Sequence, residues 1–150
     1  MDIETLRAQE ALLVYPSFSP ADALTLGLIL LDMGRADNLP IVINIRTPNQ
    51  TLFHAALPGA TPLNDLWAQR KSNAVLTYHI SSLHLGARMQ AGDETFARDG
   101  LSDANYAAHG GSVPIRLASG QVVAAATVSG LPQRDDHALV IAALKIALSL

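Results

Sequence analysis

Cysteine is absent from the 150 residues. That one absence removes disulfides, thiolate-held zinc, cysteine-ligated haem and cysteine nucleophiles together. Charge is scarce as well: charged residues make up 15% of the chain, against about 25% in an ordinary soluble domain. No basic run exceeds the pair Arg70-Lys71, and the formal net charge is −3. A protein that follows a phosphate backbone needs a positive stripe, so no nucleic-acid partner is expected. No apolar run approaches the roughly 20 residues of a membrane span, so no membrane partner is expected either. The opening Met-Asp-Ile-Glu-Thr-Leu-Arg is acidic where a secretion signal is basic, and the expected location is cytoplasmic. Linkers, repeats and low-complexity segments are lacking too, which points to a single domain over residues 1–150.

What is present is apolar: 49% of the residues. With so few charges to cover them, some apolar surface should be buried by sister subunits, and a homo-oligomer is expected. Residues 3–10 read as a helix and Ala11–Phe18 as a strand. Ser19-Pro20-Ala21-Asp22 is a helix start, with Ser as N-cap, Pro at the first helical position and Asp closing a capping box. The helix runs to about Ala36, and its polar residues fill so narrow a stripe that most of its surface should be covered. Pro40–Arg46 and Thr51–Leu57 form a hairpin around Thr-Pro-Asn-Gln. Thr61-Pro62 opens a helix to about His79, and Ser81–Gln90 continues helically. Ala91–Ala108 is loop, with one turn of helix near Ser102–Tyr106. Val113–Leu117 and Gln121–Val128 form a second hairpin on a two-residue Ser119-Gly120 turn, followed by a helix over Arg134–Leu150. This order implies an α+β fold: a five-stranded, mainly antiparallel sheet covered by helices in an α/β/α-type sandwich, profilin-like or GAF-like. The last helix carries only Lys145 and Ser149 as polar residues after Ala138. Either it is sandwiched inside the fold or it meets another subunit, and Asp136, His137, Ile141 and Leu144 are the candidate interface residues.

Chemistry-bearing residues are few, and no constellation among them compels a catalytic assignment. His109-Gly110-Gly111 sets an imidazole beside two glycines that let backbone amides approach a ligand. His54 depends on hairpin register. An even loop places it on the isoleucine face, whereas a bulge sends it to a polar patch with Asn44 and Arg46. Trp67 stands one helical turn before Arg70, so a flat ligand could stack there while Arg70 and Lys71 meet a carboxylate. His79 and His84 lie five apart, off the i, i+4 spacing of a helical metal pair, and no metal site is read. Nucleophile-elbow, phosphate-loop and dinucleotide-binding patterns are absent.

Three stretches carry a resemblance: Leu-Phe-His-Ala-Ala-Leu-Pro-Gly-Ala-Thr-Pro at 52–62, Tyr-Ala-Ala-His-Gly-Gly-Ser-Val-Pro-Ile-Arg at 106–116, and Val-Ser-Gly-Leu-Pro-Gln at 128–133 followed by Asp135-Asp136-His137. In that order they resemble the UPF0303 branch of the haem-degrading-domain family, which includes GlcG-like and HbpS-like proteins and the C-terminal part of PduO-type proteins. The resemblance implies an α/β sandwich on a five-stranded sheet, and dimers that assemble further. It makes haem a possible ligand, since some relatives bind it. Three functions follow. The first is a small-ligand binding module, with haem among its candidate ligands, using His54, Trp67, Arg70, Lys71, His109, Gly110 and Gly111. The second is a structural or chaperone-associated oligomer, and the third is a haem-degrading enzyme.

Overall fold

The computed structural model describes residues 1–150. Five helices and five strands follow in the order α1 (Ile3–Leu12), β1 (Val14–Tyr15), α2 (Pro20–Ala36), β2 (Val42–Arg46), β3 (Thr51–Ala56), α3 (Pro62–Tyr78), α4 (Ser82–Ala91), β4 (Ser112–Leu117), β5 (Val122–Ser129) and α5 (Gln133–Ala147). A short 3-10 turn at Phe96–Asp99 interrupts the long loop before β4. The strands form one sheet in the order β1-β4-β5-β2-β3. Every pairing is antiparallel except β1 with β4. No helix is long and apolar enough to cross a membrane.

The start signals act as expected. Ser19 and Asp22 close their capping box, the Asp22 carboxylate accepting the Ser19 amide at 2.7 Å. The Thr61 amide donates to Asn64 Oδ1 at 2.9 Å ahead of α3. Three expectations need correction. The strand expected over Ala11–Phe18 shrinks to two residues, because Ala11 and Leu12 stay in α1 and Pro16 has no amide to donate. The second hairpin turns on three residues, Ala118-Ser119-Gly120, with Leu117 N–H bonded to Gln121 C=O and Gly120 at φ +96°. That is the arrangement in which a left-handed glycine ends a three-residue loop. Lastly, α2 is not fully covered: Leu24 and Leu28, one turn apart, are 51% and 53% exposed.

The two faces of the sheet differ in chemistry. On one, Ile43, Ile45, Ile115, Ala126 and Val128 pack against Leu26 and Leu30 of α2 and against Val140 and Leu144 of α5. This is the main core, and alternation in β2 and β4 produces it. The opposite face, under α3, is small and polar. Ser112 bonds Thr127 across the strands at 2.8 Å, and Arg46 Nε donates to Ser72 of α3 at 2.9 Å. Asn44 and His54 share this face, because a bulge beside Arg46 pairs them directly. The site is built here, where α3 crosses the polar face.

Helix α5 is sandwiched, which decides between the two readings of its composition. Asp136, His137, Ile141 and Leu144 are all buried within the chain. Their expected contact with another subunit is therefore corrected: Ile141 and Leu144 belong to the chain's own core, and the two polar residues have partners in it.

Candidate functional site

A cleft of about 250 Å³ opens between α3, the loop entering β4 and the turn that leads from β5 into α5. Trp67 and Lys71 come from α3, His109 and Gly110 from the loop, and Asp136 from the first turn of α5. The His109 ring meets Trp67 edge-on, with centroids 5.1 Å apart. The Arg70 guanidinium also lies over the indole, 4.4 Å from its centroid, while Arg70 Nε donates to the Asp103 carbonyl at 3.0 Å. Burial lowers the His109 pKa, and the positive charges of Arg70 and Lys71 lower it further. A neutral imidazole at the mouth of the cleft follows, with a lone pair free to take a metal centre or a proton.

Lys71 does something the sequence did not suggest. It is 3% exposed, and its ammonium donates to Gly110 C=O at 3.0 Å, to Val128 C=O at 2.8 Å and to Asp136 Oδ2 at 3.2 Å. All three protons are used. Asp136 in turn accepts the Leu131 amide at 2.9 Å and the Gly130 amide at 3.4 Å. Burial pushes Lys71 down and Asp136 up, each toward neutrality, while each charge pulls the other back. The hydrogen bonds on both partners hold the pair ionised. It forms the floor of the cleft and ties α3, the β4 entry, β5 and α5 together.

The two glycines are explained by that floor. Gly111 has φ +133°, and a Cβ there would collide with Lys71 Nζ and lie 3.0 Å from the Asp136 Cβ. Gly110 gives its amide to Gln133 Oε1 at 2.9 Å, and a Cβ there would press on the Gln133 carbonyl and on Leu83. Both are steric necessities, so neither by itself marks a ligand.

His54 lies elsewhere. Its Nδ1 accepts from Asn44 Nδ2 at 3.1 Å, which leaves the proton on Nε2, 3.0 Å from Asp65 Oδ1. The trio lines a separate, polar crevice of about 460 Å³ with Gln50 and Gln69. Asp65 and Trp67 are two residues apart on α3, about 200° around the helix, so His54 and His109 sit on opposite flanks. The expected grouping therefore divides. Trp67, Lys71, His109 and Gly110 share the cleft, Arg70 stacks at its rim, and His54 stands apart.

Sequence reading also missed two polar contacts. The buried Glu10 carboxylate of α1 binds His84 Nδ1 at 2.6 Å and caps the Ser81 amide. The buried His137 Nε2 donates to Gln9 at 2.8 Å. Both join residues more than seventy positions apart, and no local pattern reports them.

Comparison with known proteins agrees with this architecture. UPF0303 proteins of Paraburkholderia xenovorans and Streptomyces avermitilis are 44% and 45% identical over 144 residues, covering 95% of this chain and 87% and 88% of theirs. The crystal structure of the Ybr137w protein superposes with a TM-score of 0.87 at 30% identity, covering 98% of this chain and 88% of that one. A PduOC–haem complex shares the fold, with a TM-score of 0.71 at 17% identity over 85% of this chain and 94% of that one. A family model described as haem degrading protein HbpS-like matches residues 18–145. From the polar face under α3 to the three motifs around it, the chain is a member of the HbpS-like family.

Proposed function

We propose that the chain is a binding module for a flat, carboxylated small molecule, with haem the leading candidate and His109 the residue that meets its iron. The carrying observation is the His109 imidazole at the mouth of the cleft, kept neutral by partial burial and two cations and set edge-on to Trp67 at 5.1 Å. Neutral imidazole is the form that ligates iron. Trp67 offers a face to a macrocycle, and the Arg70 guanidinium is positioned for a propionate. Lys71 is not available for that task, because Asp136 and two carbonyls already hold its ammonium. The cleft holds about 250 Å³, below the roughly 300–1,000 Å³ that encloses a drug-sized ligand. A haem would enter by one edge and leave the rest outside. The family description and the relative solved with haem support the same ligand.

Haemin titration, followed at the Soret band, tests this reading. Wild type and His54→Ala are expected to give the same saturable, stoichiometric shift, and His109→Ala to lose it. Equal, non-saturating absorbance in all three would remove haem as the ligand.

A structural or chaperone-associated oligomer is the second reading, favoured by leucines left outside. Leu24 and Leu28 on α2, and Leu63 and Leu66 on α3, are each more than half exposed. Burying such side chains is worth about 1.5–3 kcal/mol apiece. Leu24→Asp with Leu28→Asp is expected to reduce the particle mass in light scattering while leaving the melting temperature of the subunit nearly unchanged. An unaltered mass would exclude the α2 ridge as a subunit contact.

A further inference from the structure

A third cavity, separated from the His109 cleft by the first turn of α5 and by the contact of Leu83 with Gly110, has a composition of its own. It is a trough of about 260 Å³ between α1, α4 and α5. Leu83 of α4 and Ala138, Ile141 and Ala142 of α5 supply apolar lining, and Arg134 and Lys145 stand along the same face of α5. These α5 positions repeat at three and four residues, which stacks them along one side of the helix. In the remaining polar wall His137 Nε2 donates to Gln9 Oε1 at 2.8 Å, while the buried His137 Nδ1 has no partner.

Arg134 and Lys145 are both exposed and enter none of the chain's ion pairs, a state they share with Arg35, Arg46, Arg70 and Arg116; what sets them apart is that both flank one apolar trough. An apolar trough flanked by unpaired positive charge is complementary to a molecule with an apolar body and an anionic head. The two ends are not equivalent. Lys145 lies in the last turn of α5, where the helix carbonyls already attract its charge. Arg134 lies in the first turn, and its planar fork matches a carboxylate through two parallel hydrogen bonds. The distance along the axis from Arg134 to Lys145 is about 16 Å, enough for an extended chain of medium length.

We propose that this trough binds a medium-chain aliphatic carboxylate, with its head on Arg134 and its tail along Leu83, Ala138 and Ala142 toward Lys145. The site is independent of the His109 cleft, and its test does not depend on haem.

Calorimetric titration with sodium hexanoate, heptanoate and octanoate reads the proposal directly. Each added methylene is expected to tighten binding up to about fourfold, the ratio for full burial of one CH₂. Octan-1-ol, which lacks the charged head, is expected to bind at least tenfold more weakly than octanoate. Arg134→Gln is expected to weaken octanoate about tenfold, the lower end of the effect of losing a hydrogen bond to a charged group. Ala138→Leu, at an exposed position, is expected to fill the trough and abolish saturation. Thermal melts of both variants serve as the check on folding, and both are expected to match wild type. Octanoate binding that is absent, independent of chain length, or indifferent to both substitutions overturns the proposal. So does a change of particle mass in either variant without octanoate, which would make the trough a contact between copies of this chain.

Discussion

Lys71→Met is expected to lower folding stability by about 3–5 kcal/mol, the usual loss when one member of a buried ion pair is removed. The methionine fills similar space, but Asp136 is then left charged and nearly sealed from water, with only the Gly130 and Leu131 amides beside it. Two carbonyls, of Gly110 and Val128, lose their ammonium partner at the same time. Gly111→Val attacks the same point from the other side. Its Cβ would occupy the space of the Lys71 ammonium, at a φ of +133° that a β-branched residue does not tolerate. Urea denaturation of the two variants should give similarly large losses. An unfolding free energy within about 0.5 kcal/mol of wild type, the range typical of surface substitutions, would mean that the pair is solvated and carries no weight in the fold.

Acidification should act through His137. This imidazole is almost fully buried, and burial lowers its pKa from 6.5 to about 4. A base with a depressed pKa in the folded state binds its proton more readily when unfolded, so stability falls with pH wherever the unfolded chain is protonated and the folded one is not. The contribution is complete above about pH 6.5 and is lost progressively down to about pH 4. At 1.36 kcal/mol per unit, the loss over that window is about 3 kcal/mol. His137→Gln keeps a donor for Gln9 and cannot titrate. The difference in stability between wild type and this variant should therefore slope through that window, and the other titrating groups cancel in the difference. Parallel pH profiles for the two proteins would show that His137 takes up its proton without opening the fold.

The parts of the molecule that were legible in its sequence are those set by near neighbours. Ser19-Pro20-Ala21-Asp22 and Thr61-Pro62 start their helices because caps and proline act within four residues. The alternation in β2 placed Ile43 and Ile45 in the core. His54 could not be placed so directly, because one bulged residue decides its face. Only the pairing of Asn44 with His54 reveals the bulge. Lys71 misled for a different reason. A lysine next to an arginine on a helix reads as solvated or ligand-facing, and its actual partner, Asp136, lies 65 residues away. Asp136 stands in the first turn of α5, where the helix dipole already favours an acid, so its position gives no sign of a buried lysine partner. The nearly unbroken apolar stretch of α5 had two physical solutions, burial or assembly. The choice between them depended on how α1, α2 and α4 pack around it.

Strand order carries a consequence for how the chain is made. The sheet runs β1-β4-β5-β2-β3, so the first three strands to leave a ribosome are destined for its margins or must await a neighbour. The central strand, β5, ends at Ser129, and α5 follows it. Val14 lacks its partner Arg116 until β4 is made, and Ile43 lacks its partner Val128 until β5 is complete. A nascent chain therefore holds the β2–β3 hairpin and, by residue 91, four helices with exposed apolar faces before the middle of the sheet exists. Pairings this distant are slow to close and leave such faces open to other molecules in the meantime. For this protein the vulnerable period is the interval before the last thirty or so residues emerge, when the outer strands exist and the middle of the sheet does not.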